Sequence, residues 1–102
     1  MLGMGIIRDE ATDHLFETLL RLKSVEECYA LFEDLCTIKE LKDMAQRLQV
    51  AVLLDEGMKY QEVAALTGVS SATISRVNKC LLYGSGGYRQ ALNKLNKAEQ
   101  KE

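Results

Sequence analysis

The sequence predicts an all-α chain of six helices, two of them joined by a tight turn, and three observations carry that prediction. Proline is absent from all 102 residues, although about one residue in twenty is usual, and proline is what most often breaks a helix. Two hydroxyl–glutamate boxes, Ser24-Val25-Glu26-Glu27 and Thr37-Ile38-Lys39-Glu40, mark two helix starts. In such a box the hydroxyl caps forward while the glutamate reaches back to a free backbone N–H. Between these marks, apolar residues recur at the three- and four-residue spacing of a helix face.

A first helix is expected over residues 10–22, with Leu15, Phe16, Leu19, Leu20 and Leu22 as its apolar stripe. The second opens after Ser24 and is expected to bury Val25, Cys28, Tyr29, Leu31, Phe32 and Leu35. The third starts at Thr37 and runs to about Glu56, where Gly57 stops it. Its first turns are amphipathic through Leu41, Met44, Ala45 and Leu48, but residues 50–54 (Val-Ala-Val-Leu-Leu) are apolar nearly all round. A helix of that kind must be covered on every side, and a small domain has little core to offer. A second copy of the chain is the expected cover; the alternative is cover by the first two helices and the last.

Residues 59–82 read as a helix-turn-helix. Val63, Ala64 and Leu66 give the first of its helices an apolar side, with Ala64 at the close approach. Thr67-Gly68-Val69 forms the turn, Gly68 supplying a positive φ. Ser70 caps the second helix. Within that helix Ile74, Val77 and Leu81 face inward. Ala72, Thr73, Ser75, Arg76 and Lys79 then fall on the outward arc, and Ser71 at the helix start is expected to contact DNA with them. Such a face has little bulk, several hydroxyls and two cations, which is the chemistry a helix needs in a DNA major groove. Lys59 and Gln61 are placed to anchor backbone phosphates. After Gly84-Ser85-Gly86-Gly87 a last helix is expected over residues 88–98, with Ala91, Leu92 and Leu95 as its apolar edge and residues 99–102 frayed.

Charge is divided in the same sense. Residues 1–57 carry six basic side chains against twelve acidic ones, whereas residues 58–98 carry Lys59, Arg76, Lys79, Arg89, Lys94 and Lys97 against Glu62 alone. A chain of net charge −2 can therefore still offer phosphates a basic face. The three cysteines, Cys28, Cys36 and Cys80, have neither metal-ligand spacing nor an even count. Cys28 and Cys36 are expected as small buried residues of a reducing cytoplasm. The apolar start, residues 1–7, is too short for a signal segment.

Enzyme chemistry finds no footing. His14 is alone, the neighbouring carboxylates Glu26–Glu27 and Asp55–Glu56 diverge on a helix, and the glycine run at 84–87 lacks a preceding strand and a phosphate-binding lysine. No catalytic residue, metal site or cofactor is expected.

From residue 15 to residue 95 the chain resembles the tryptophan-repressor superfamily, in its YerC/YecD-type branch. The resemblance is most specific through TIKELKDMAQRLQVAVLLDEG, MKYQEVAALTGVSSATISRV and YGSGGY. It implies a six-helix fold in an intertwined homodimer. The single domain would then comprise a dimerisation core at residues 10–57, the helix-turn-helix at 59–82 and a C-terminal helix at 88–98. It also implies a cytoplasmic regulator of transcription, of the repressor kind, bound to double-stranded DNA. Thr37, Arg47 and Arg76 match the superfamily's corepressor pocket, although Arg47 also suits an ion pair with Asp43. Val77 replaces the glycine that leaves room for an indole, and the chain is one residue shorter between Gly57 and Val63, so tryptophan is not the expected effector. A helical adaptor that binds protein through the same corner is the competing function.

Overall fold

A computed structural model of the chain describes residues 8–100, the side chains of residues 99 and 100 excepted. The apolar start at residues 1–7, and Lys101 and Glu102 of the expected frayed end, lie outside the described residues. Six helices follow in order: α1 (Glu10–Leu19), α2 (Val25–Leu35), α3 (Ile38–Asp55), α4 (Tyr60–Thr67), α5 (Ser71–Tyr83) and α6 (Gly87–Gln100). No strand occurs among the described residues. The chain divides into two compact units that part between Asp43 and Met44, inside α3.

The N-terminal unit is defined by its caps. Asp9, unremarked in the sequence, starts α1 by accepting the Thr12 N–H at 2.7 Å. That bond holds the Asp9 carboxyl below its ordinary value of 3.8. The helix ends at Leu19, short of the expected residue 22, because Arg21 and Leu22 bond back only three residues, to Thr18 and Leu19. Such i→i+3 bonds tighten and close a helix. The Thr37 box is reciprocal: Thr37 Oγ1 accepts the Glu40 N–H at 3.0 Å and Glu40 accepts the Thr37 N–H at 2.8 Å. The Ser24 box differs on its return side. Ser24 Oγ accepts the Glu27 N–H at 3.1 Å, but the Glu27 carboxylate reaches the Lys23 N–H and the Ser24 hydroxyl, each at 3.3 Å.

Neither α1 nor α2 has a buried residue. Of the six side chains expected in the α2 core, only Leu31 and Phe32 are half-buried. Cys28 is exposed and Cys36 half-buried, contrary to expectation, because this unit has no interior of its own to receive them.

The second unit has one. Val50 and Ala51 of α3, Val63 of α4, Ile74, Val77 and Leu81 of α5, and Leu92 of α6 form a buried cluster. Val52, Leu53 and Leu54 pack against it. Val50 and Ala51 are thus covered inside this unit and residues 52–54 partly so, and their apolar character does not by itself demand a second copy. α3 closes with paired bonds from Gly57 N–H to the Leu54 carbonyl and from Met58 N–H to that of Leu53, with Gly57 at φ 92°. This is a Schellman ending. The expectation for Leu66 fails. The inward arc of α4 is Val63, Ala64 and Thr67, and Leu66 lies roughly 100° from its centre, leaving it 63% exposed. Among the described side chains of α6 only Leu92 is buried; Ala91 and Leu95 are exposed, and the helix runs on to Gln100.

Candidate nucleic-acid interface

The α4–α5 corner is held by short-range bonds on both sides of its turn. Lys59 precedes α4 with its N–H given to the Glu62 carboxylate at 3.4 Å. At the far end Gly68 adopts φ 74° and donates to the Ala64 carbonyl at 2.9 Å. A Cβ there would touch nothing within 4 Å, so glycine is needed for its backbone freedom and not for space. Thr67 adds a lock that the sequence reading missed. Its hydroxyl donates to the Val63 carbonyl at 2.7 Å and accepts the Val69 N–H at 3.2 Å, tying helix to turn. A threonine directly before a turn glycine was the available signal.

Ser70 then caps α5, accepting the Thr73 N–H at 3.3 Å. Burial of Ile74, Val77 and Leu81 fixes the rotation of the helix, each such side chain being worth about 1.5–3 kcal/mol over its exposed state. Rotation follows from that inner trio. Ser71, Ala72, Ser75, Arg76 and Lys79 are exposed, and Thr73 is half-buried beside its cap. Lys59 and Gln61 are exposed at the start of α4. Among the described residues, Lys59, Arg76 and Lys79 have no ion pair.

The possible ligand residues are less coherent. Thr37 lies in the N-terminal unit, where its hydroxyl serves as the α3 cap. Arg47 and Arg76 are exposed in the second unit. Val77 is 2% exposed and belongs to the core. Tyr88 of α6 is half-buried against that core, and burial pushes its phenol above the ordinary value. The positive Arg47 acts on Tyr88 in the opposite direction, and Cys80 adds to the rise. Asp55 and Arg89 form an ion pair of 2.7 Å between the end of α3 and the first turn of α6. Thirty-four residues separate them, which is why no local pattern announces the pair.

These features define an all-α protein that holds a capped polar helix outward from a small apolar core. A family model described as Trp repressor protein matches residues 10–96, and the chain belongs to that family. It is 48% identical over 93 residues to a Bacillus subtilis (strain 168) protein named as the uncharacterized protein YerC, covering 91% of this chain and 89% of the relative. A crystal structure from Staphylococcus aureus, provisionally assigned as a Trp repressor, superposes with a TM-score of 0.84 at 43% identity, covering 87% of this chain and 89% of the other. A TrpR-like protein from Eubacterium eligens ATCC 27750 gives a TM-score of 0.84 at 44% identity, covering 87% and 92%.

Proposed function

We propose that the chain is a cytoplasmic, homodimeric, sequence-specific DNA-binding regulator of transcription, of the repressor kind, which uses α4–α5 as a helix-turn-helix. One observation carries the reading: α5 turns a small, hydroxylated, cationic face to solvent while its apolar face is locked into the core. In the groove, Ser71, Ala72, Thr73 and Ser75 meet base edges, and Arg76 meets guanine or phosphate. Lys59, Gln61 and Lys79 hold backbone phosphates. Membership of the Trp repressor family supports the same reading.

The second copy is argued from the N-terminal unit. Leu20 and Ile38 are 84% and 89% exposed, and Phe16, Val25, Tyr29 and Leu35 are exposed beside them in sequence. An open concavity along α1 is lined by Ala11, Phe16 and Leu20 among charged residues. An apolar surface of this extent on a small chain marks an interface. Two-fold pairing would put two α5 helices on half-sites about one helical turn, ~34 Å, apart. Tryptophan is not the effector in this reading, because Val77 fills the interior at that point of α5. Calorimetry with tryptophan should register no binding, and added tryptophan should leave DNA affinity unchanged.

A protein-binding adaptor is the second reading, favoured by Leu66, which stands exposed on the same corner. Selection of bound fragments from random DNA separates the two. A consensus of two related half-sites, with affinity falling steeply as salt is added, is the expected result. Failure to enrich any sequence, together with salt-insensitive capture of a protein by this corner, would replace the regulator with the adaptor.

A further inference from the structure

We infer that Thr67 is a positioning residue for base readout: its hydroxyl sets the direction in which the chain leaves α4, and so the angle at which α5 is held. The inference rests on the DNA-binding reading above and adds a residue that acts through the turn instead of on the duplex. Thr67 Oγ1 makes two bonds whose directions are forced by their partners. The Val63 carbonyl, at 2.7 Å, can only accept, and the Val69 N–H, at 3.2 Å, can only donate. The hydroxyl is therefore a relay between the middle of α4 and the far side of the turn.

The end of α3 shows what the backbone does without such a relay. There the Gly57 and Met58 N–H groups both reach carbonyls of the helix, at Leu54 and Leu53, and fold the exit back over it. At the end of α4 the glycine makes one bond, to the Ala64 carbonyl, and the next N–H goes to the threonine instead of to a carbonyl. Both glycines have positive φ, 92° and 74°, so they do not by themselves distinguish the two exits. Nor is this the ordinary back-bond of a helical threonine. Thr18 donates to the His14 carbonyl at 2.8 Å, but among the described residues no N–H is returned to it. Val69, tied by its N–H, packs its side chain against the buried cluster, and the residue after it is Ser70, the cap of α5. Val69 thus places the start of α5, and Thr67 places Val69.

The test uses the full chain on its selected duplex and on duplexes varied at one base pair at a time. Thr67→Val keeps the size and the branch but can neither donate nor accept. Its preference for the selected duplex over the varied ones should fall by about tenfold, the discrimination of one good base contact. A threonine that only stabilised the fold would behave otherwise. Loss of folded protein lowers the apparent affinity for every duplex by the same factor and leaves their ratio alone. Thr67→Ser, which keeps the hydroxyl, should restore the wild-type ratio. In the wild type the Val69 amide should be protected from hydrogen exchange, a reading that needs no variant to fold. An unchanged ratio in Thr67→Val, no restoration in Thr67→Ser, or an unprotected Val69 amide overturns the inference while the DNA-binding reading stands. Absence of any sequence preference in the wild type sinks both.

Discussion

The stretches 8–43 and 44–100 are built from the same material, capped amphipathic helices, yet they end in opposite states. In the second, three helices and the end of α3 share one buried cluster. In the first, well-capped helices have no fully buried residue. Caps decide where a helix begins; they do not decide what covers it. A helix of ten or eleven residues is marginal in water on its own, so α1 and α2 need a surface that the first stretch does not contain. The contrast places the interface of the proposed dimer on α1, α2 and the start of α3.

Substitution of Ile38 by Asp gives the largest expected effect and bears directly on that contrast. At an exposed site of a monomer such a change stays within about 0.5 kcal/mol. In the proposed dimer it buries an unpaired carboxylate, so light scattering should show the mass fall from two chains to one and melting should move sharply down. An unaltered melting curve would break the comparison by showing that the first stretch is complete alone. Ile74→Ala probes the other side. It should cost about 2–5 kcal/mol by opening the core of the second unit.

Gly68→Val comes next, at about 1–3 kcal/mol, because a β-branched residue is forced to positive φ. Its damage should centre on the α4–α5 corner, lowering DNA binding more than dimer mass. Arg89→Gln should cost less than about 1 kcal/mol, since both partners of its ion pair are partly wet.

The smallest effect is acid sensitivity. Cap bonds lower the carboxyls of Asp9 and Glu40 from ordinary values of 3.8 and 4.5, and both groups are fully exposed. A lowered carboxyl adds stability above its unfolded value and loses it as pH falls through the folded one. Helix content should therefore decline slightly below about pH 4, and Asp9→Asn together with Glu40→Gln should flatten that decline.

Helix number, the Thr37 box, the forward half of the Ser24 box, the Gly57 and Gly68 endings and the inward trio of α5 were legible in the sequence, because each depends on residues within one or two turns. So were the outward positions of α5 other than Thr73, which is half-buried beside its cap; they follow from the trio by rotation alone. Burial was the part misread. Apolar density at residues 50–54 suggested a missing partner, but the structure supplies most of the cover from Val63, Ile74, Val77, Leu81 and Leu92, leaving residues 52–54 half-buried. The open surface lies instead where periodicity looked ordinary, around Phe16, Leu20 and Ile38. Periodicity names the apolar side of a helix without naming its neighbour. Leu66 was misplaced on a smaller scale, since an eight-residue helix gives too few turns to centre an arc. Thr67 bridging and the Asp55–Arg89 pair depend on hydroxyl direction and on tertiary approach, which spacing does not encode.

The Asp55–Arg89 pair also sets a ceiling on polyelectrolyte behaviour. It neutralises one of the six cations in residues 58–98, leaving Lys59, Arg76, Lys79, Lys94 and Lys97 free of ion pairs among the described residues. Each cation that displaces a condensed counterion from duplex DNA contributes about −0.9 to the slope of log affinity against log salt. Those five can then contribute no more than about −4.5 to the slope of one chain, and about −9 to that of a pair. A wild-type slope steeper than that of Arg89→Gln would mean that DNA draws Arg89 away from Asp55, so that the end of α3 is released from α6 as the protein docks.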